Sequence, residues 1–292
     1  MPKVFVVEKA AQLSRIKLNE EDSTQTVSRP LAFDDLFEAV VRASPAFERD
    51  RLLEPKPCLE TSQNSFLTLS ALARVVRADK KISKRHIDKD AIDICRAVAT
   101  GSTLDWLTAV NNHHSYTFRH TLHVAGLMLA FAEHLGFSDR DKVRVVRGAL
   151  MHDVGKAKIP TDVLDGEGPL SFKDQALIFQ HPTFGLEILM NDGGWDAVTQ
   201  KMVYQHHELL DGSGYPKKLS GDAISDPVRM LTIIDIFADC VDRRAGTEPV
   251  DPKTAMKKLY SMPGKVDMDF VRAFEPVALK VMEDINTFRA AA

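Results

Sequence analysis

Seven side chains able to ligate a metal ion recur between residues 120 and 235, in the order His120, His152, Asp153, His181, His206, His207 and Asp235. Singly, each has a bland explanation, because a lone histidine on a helix is more often a satisfied or exposed residue than a ligand. As a set they resist that explanation, since each lies at the edge of an apolar run. His152-Asp153 follows Gly148-Ala149-Leu150-Met151, and Asp235 lies between "MLTII" and "IF". A charge buried in such company is costly without a partner, and a cation is the strongest partner available. Five imidazoles and two carboxylates suit two first-row transition ions better than calcium or a thiolate-bound zinc. A carboxylate between two groups of histidines can bridge ions roughly 3.5–4 Å apart, a centre that polarises phosphoryl oxygens and supplies hydroxide at neutral pH. Lys156, three residues after Asp153, reaches the same side if the helix continues that far.

The stretch "HHELLDGSGYP", residues 206 to 216, sharpens the question. A turn needs its glycines and proline, but not the preceding histidine pair or the acid Glu208. Seven of the ten histidines fall between residues 120 and 207. His86, His113, His114 and His134 sit in charged, loop or terminal positions and read as bystanders. His123, one turn from His120, reads as a supporting group rather than a ligand.

The elements carrying these residues are helical. Residues 121 to 136 place Leu122, Ala125, Leu129 and Ala132 at helical spacing and close on Gly136. Residues 140 to 156 put Val143, Val146, Ala149 and Leu150 on one stripe, and residues 226 to 244 form an apolar helix carrying Asp235. Ser171 and Asp174 make a capping-box-like start to a helix running towards His181-Pro182. The first hundred residues read differently. A polar Ser/Thr stretch covers residues 16 to 30, followed by amphipathic helices over 33 to 43 and 65 to 78. Between these helices lies a linker-like stretch with Pro45, Pro55 and Pro57, and residues 79 to 90 form a charged connection. The expectation is an all-α fold: a multi-helix domain over 101–292, preceded by a small accessory region of mixed or partly helical structure over 1–100.

Bulk properties exclude several classes. The 292 residues are 44% hydrophobic and 27% charged, as in a soluble globular protein. A formal charge of −3 gives no field that would draw the molecule to a nucleic-acid polymer or a membrane. No apolar run is long enough to span a bilayer, and Val4 to Val7 is too short for a signal-peptide core, which points to the cytoplasm. Cys58, Cys95 and Cys240 are too few and scattered for a disulfide framework.

The ordered series resembles the HD-GYP family, a branch of the HD-domain metal-dependent phosphohydrolases. The likeness runs through "YTFRHTLHVAGL", "LMHDVGKAKIP", "LDGEGPLSFKDQALIFQHPTFGLEIL", "VYQHHELLDGSGYPKKLSGDAI" and "RMLTIIDIF", roughly residues 116 to 244. It implies hydrolysis of cyclic dinucleotides, chiefly cyclic di-GMP, to the linear dinucleotide by a hydroxide activated between two metals, with further cleavage to GMP left open. By this resemblance His120, His152, Asp153 and Asp235 hold one ion, and Asp153 bridges to a second held by His181, His206 and His207. Lys156 touches the scissile phosphate, Tyr215 and Gly214 line the substrate pocket, and Arg244 grips phosphate. The implied ions are divalent transition metals, iron or manganese foremost, with nickel and zinc also compatible. Protein partners in second-messenger signalling are a further implication.

The chain departs from the family pattern in places. Tyr116 stands where relatives with a third metal carry Glu, so two ions are expected. Arg244 is followed by Ala245-Gly246 rather than Pro-Tyr, and Thr247 replaces a lysine found in some members. Rival readings are a phosphodiesterase preferring cyclic GMP-AMP, a general HD phosphohydrolase, and a catalytically weak cyclic dinucleotide receptor or protein-docking domain.

Overall fold

The computed structural model describes residues 5–7, 26–28, 57–113, 115–164, 171–242 and 249–291. It divides the chain into two compact units, Met1–Lys56 and Pro57–Ala292. In the first unit, β1 (Phe5–Val7) pairs in parallel with β2 (Thr26–Ser28), Val6 opposite Val27. The helix expected over 33 to 43 lies outside the described residues.

Among its described residues the second unit is all-helical apart from isolated bridges. Its first elements are α1 (Pro57–Arg77), α2 (Lys84–Thr100), α3 (Thr103–Val110), α4 (Tyr116–His134) and α5 (Asp139–Met151). A 3₁₀ turn over Val154–Lys158 follows, then α6 (Thr161–Leu164), α7 (Phe172–Ile178), α8 (His181–Asp192) and α9 (Ala197–Gln205). The unit closes with α10 (Asp226–Val241), α11 (Pro252–Tyr260) and α12 (Met268–Ala291). No helix among the described residues is long and apolar enough to cross a membrane.

Two helices form the spine. Every residue of α4 from His120 to Ala132 is buried, as are Met230 to Asp235 of α10. A helix that is apolar all round must be enclosed by others, and α4 packs against α1, α3, α5, α10 and α12. Fully buried Leu122, Leu129, Phe131 and Phe237 each stabilise the unit by about 1.5–3 kcal/mol relative to exposure. Trp106 of α3 is clamped to the spine, its indole Nε1 donating to the Leu122 carbonyl at 3.0 Å.

Caps fix the helices that bring ligands in. Ser138 accepts from the Asp141 amide at the start of α5, and Ser171 does the same for Asp174 on α7. Asp196 caps α9 by accepting from the Val198 and Thr199 amides, and its other oxygen pairs with Arg147 of α5. Gly136 closes the turn after α4 at a φ of +73°.

Two elements differ from expectation. Residues 79 to 90 are not one charged connection, because α2 begins at Lys84. Its charges form i,i+4 pairs, Lys84 with Asp88 and Lys89 with Asp93, on the outside of a helix that buries Ile87, Ala91, Ile94 and Val98. The helix through His152 stops at Met151 and tightens into the 3₁₀ turn rather than reaching residue 156. With α1 and α2 in the Pro57–Ala292 unit, the compact helical body extends over part of the region read from sequence as accessory.

Candidate metal centre

Three helix ends and two helix interiors deliver the seven predicted ligand residues to one place. His120 lies within α4 and Asp235 within α10. His152 follows the last turn of α5, His181 opens α8 just past the end of α7, and His206 follows α9. The ligand-capable atoms fall into two groups, His120–His152–Asp153 and His181–His206–His207, each with its atoms within 4.8 Å of one another.

Two carboxylates join the groups. Asp153 Oδ2 lies 3.4 Å from His152 Nε2, while its Oδ1 lies 3.2 Å from His181 Nε2 and 3.9 Å from His206 Nε2. Asp235 also spans both: Oδ1 is 3.0 Å from His120 Nε2 and 3.6 Å from His152 Nε2, and Oδ2 is 3.8 Å from His207 Nδ1. All but His207 are buried, and His207 retains 26% side-chain exposure at the mouth.

Helix-end placement has a chemical consequence. The last carbonyls of a helix lack intrahelical donors. Three of them receive imidazole Nδ1–H groups: Ala149 from His152 at 2.7 Å, Ile178 from His181 at 2.7 Å and Val203 from His206 at 2.9 Å. With Nδ1 donating outward, each Nε2 points into the cluster, where the neutral ring offers a lone pair to an ion, the outer-sphere arrangement that orients metal-ligating histidines.

Charge in the cluster is uneven. Burial disfavours charge on His152, but Asp153 and Asp235 outweigh it and push the imidazole up to about 10. Burial likewise opposes ionisation of Asp153, yet Lys156 and His152 hold its carboxyl well below the usual range. His120 and His152 do the same for Asp235. Burial, then the neighbouring imidazoles, holds His206 well below its ordinary value. Burial drives His207 down to about 3, with Asp235 opposing and His181 assisting.

Whether these residues fit an ion can be tested on their own contacts. His152 Nε2 and Asp153 Oδ1 are buried without a hydrogen-bond partner, although they face like-minded acceptors. Buried acceptors converging without donors are what a cation would satisfy. Mixed imidazole and carboxylate donors suit a first-row divalent ion. The residues therefore fit a metal.

Around the cluster sit residues expected from sequence to face a substrate. Lys156 Nζ lies 2.5 Å from Asp153 Oδ2, because the 3₁₀ turn stacks residues three apart on one side. Burial opposes the Lys156 charge, but Asp153 raises its pKa. The Tyr215 ring stacks on His207, with centroids 4.7 Å apart, and Phe179 packs against Tyr215 at 4.9 Å. Gly214 is required by a close approach: a Cβ there would lie 2.4 Å from the Leu209 amide and 2.5 Å from the His207 carbonyl. Arg244 lies outside the described residues.

Several working residues escaped sequence reading. Glu208 is buried beside the histidine pair but holds the loop, accepting from the Lys217 and Leu219 amides at 2.6 and 2.9 Å. A buried acid directly ahead of a glycine-rich turn was the available signal. Asp239, one turn after Asp235, accepts from the Tyr116 hydroxyl at 2.9 Å and lies 3.7 Å from His120 Nδ1. Gly155 allows the 3₁₀ turn to touch α8 directly, since a Cβ there would fall 1.9 Å from the His181 carbonyl. His123 is not among the converging ligands; it lies 3.5 Å from Asp242, which also accepts from Arg119. His113 stacks on Phe66, away from the cluster.

The family model described as HD domain matches residues 106–270, more than half of the chain. The chain belongs to the HD domain family. Its resemblance to the HD-GYP branch holds in the relatives as well. The cyclic di-GMP phosphodiesterase PA4108 of Pseudomonas aeruginosa is 28% identical over 168 residues, 58% of this chain and 41% of that protein. The 3′3′-cGAMP-specific phosphodiesterase 3 of Vibrio cholerae is 35% identical over 122 residues, 42% of this chain and 26% of its own length. The chain thus spans less than half the length of these relatives. Bd1817, an HDG"Y"P protein from Bdellovibrio bacteriovorus, superposes with a TM-score of 0.63 at 18% identity, over 84% of this chain and 81% of that one. At that identity the likeness is one of fold.

Proposed function

We propose that this chain is a metal-dependent phosphodiesterase that opens cyclic dinucleotides, cyclic di-GMP first among them. The observation that carries the reading is the buried His/Asp cluster with partnerless Nε2 and carboxylate oxygen atoms, flanked by a lysine and an aromatic stack. The names of the matched relatives support the substrate class.

In this reading His120, His152 and Asp235 hold one ion, His181, His206 and His207 the other, and Asp153 lies between them. Bound there, two divalent ions supply Lewis acidity to a phosphoryl oxygen and lower the pKa of water. The remaining work falls to the chain. Lys156 offers its ammonium to a non-bridging phosphate oxygen, exchanging part of its pairing with Asp153. Tyr215 presents a ring face for base stacking, and Glu208 keeps that ring in place by bonding the loop backbone. Tyr116, tied to Asp239, occupies the position from which relatives recruit a third ion, so the site takes two.

The test is metal analysis of freshly purified protein with a cyclic di-GMP hydrolysis assay on the same sample. About two ions per chain and a linear dinucleotide product are expected, with activity lost on chelation and restored by iron or manganese. Ion-loaded protein inert toward cyclic di-GMP overturns the reading. Faster cleavage of 3′3′-cGAMP would transfer it to the second substrate, which the similarity to the Vibrio cholerae enzyme makes the natural comparison.

A further inference from the structure

A cavity of about 230 Å³ lies between α1 and the turn that carries Asp153 and Lys156. Its lining includes Leu69, Leu72 and Arg77 of α1, Phe118 of α4, and Asp153 and Lys156 of the metal-side turn. The α1 wall precedes the residues that match the HD domain, so this part of the site comes from a segment outside the family core. Only three lining residues carry formal charge: Asp153, Lys156 and Arg77. Asp153 is already engaged by Lys156 and the histidines, which leaves Arg77 as a cation without an anion.

The Arg77 geometry points to a ligand. Its Nε donates to the carbonyl of Ala157, the neighbour of Lys156, at 3.3 Å. That bond ties Arg77, which is otherwise exposed, from α1 to the 3₁₀ turn, and both Arg77 and Lys156 line the cavity. No carboxylate pairs with Arg77 among the described residues, and its two Nη atoms make no hydrogen bond there. An arginine in the last turn of a helix also complements the helix dipole. That role, however, requires neither the bond to Ala157 nor a place on the cavity wall. A guanidinium held at Nε with its Nη pair free is shaped for two oxygens of one phosphate.

We propose that Arg77 binds the second, uncut phosphodiester of the cyclic dinucleotide, while Lys156 and the metal centre engage the one that is cleaved. The proposal rests on the functional reading above and extends it: a substrate with two phosphates needs two cationic contacts, and the second is supplied by α1. The apolar wall of Leu69, Leu72 and Phe118 then accommodates the adjoining nucleoside.

The experiment compares full-length, metal-loaded wild type with Arg77→Ala and Arg77→Lys on cyclic di-GMP and on bis(p-nitrophenyl) phosphate, which carries a single phosphate. Affinity for a non-hydrolysable bisphosphorothioate analogue of cyclic di-GMP is measured alongside. Losing a charged hydrogen-bonding contact should raise KM for cyclic di-GMP and Kd for the analogue by about 10- to 100-fold in Arg77→Ala. Arg77→Lys should fall between that variant and wild type, with kcat, metal content and the single-phosphate reaction unchanged in both. Equal loss on both substrates would show that Arg77 merely props the Lys156 turn, and unchanged KM and Kd would show no contact; either overturns the inference alone. Wild type that cleaves only the single-phosphate substrate would overturn the functional reading itself.

Discussion

His120 and His152 face two buried carboxylates, whereas His181, His206 and His207 crowd one another and share those carboxylates from the far side. His181 Nε2 and His206 Nε2 lie 3.1 Å apart, and the His206 and His207 ring centroids are 4.1 Å apart. The same side chain thus acquires opposite character across a few ångströms. Carboxylates push His152 up to about 10, while burial drives His207 down to about 3. The first group is an anionic nest that holds a positive charge of some kind, proton or ion. The second is a neutral nest whose only negative charge is borrowed from Asp153 and Asp235. An ion in the second group therefore depends on the bridging acids more than on its own three imidazoles.

Removing a bridge is the hardest blow to that contrast. Asp153→Ala should empty both groups and lower phosphodiesterase activity by more than about a thousandfold, read by metal analysis and turnover. If the second group kept its ion, its dependence on the bridge would be wrong. His207→Ala should be more selective, reducing metal content from about two ions per chain to about one. Equal loss from both groups would erase the distinction between them.

A smaller effect tests the scaffold of the neutral group. Asp196 caps α9, which delivers His206, and pairs with Arg147 of α5. Asp196→Ala should cost about 1 kcal/mol and lower Tm by about 2–4 °C in a unit of this size, with metal loss confined to the second group.

The smallest effect concerns a buried acid that has no cation cluster. Asp90 of α2 is pushed above its ordinary 3.8 by burial, against a hydrogen bond from Thr68 and the charge of Lys89. A carboxyl with a raised folded-state pKa favours the fold below its unfolded value and loses that contribution as pH rises through the folded one. Asp90→Asn should therefore gain thermal stability relative to wild type as pH rises above the ordinary 3.8, the gain levelling off once the folded carboxyl has ionised. A pH-independent difference in melting would show that the Asp90 charge costs the fold nothing.

The ligand positions were readable because acids and histidines interrupt apolar helices, a pattern that survives without coordinates. What the sequence concealed were relations across elements. Charge density hid α2, since Lys84, Asp88, Lys89 and Asp93 drew attention from the Ile87–Ala91–Ile94–Val98 stripe. Lys156 reached the expected side by a different route, a 3₁₀ turn in place of a longer α-helix. The sharing of Asp235 with His207 could not be read at all, because nothing in a linear series states which oxygen faces which ring. Glu208 and Gly155 were equally opaque, their roles being set by neighbours nine or more residues away.

The contact at Gly155 bears on how the centre exchanges its contents. Backbone meets backbone there with no space for even a methyl group, and the Asp153 turn and the start of α8 form a closed seam. Away from it, His207 at 26% exposure, Lys156 at 24% and Asp239 at 54% meet solvent. On the proposed function, a cyclic dinucleotide lying over His207, Lys156 and Asp239 would cover the solvent-facing side of the ions beneath it.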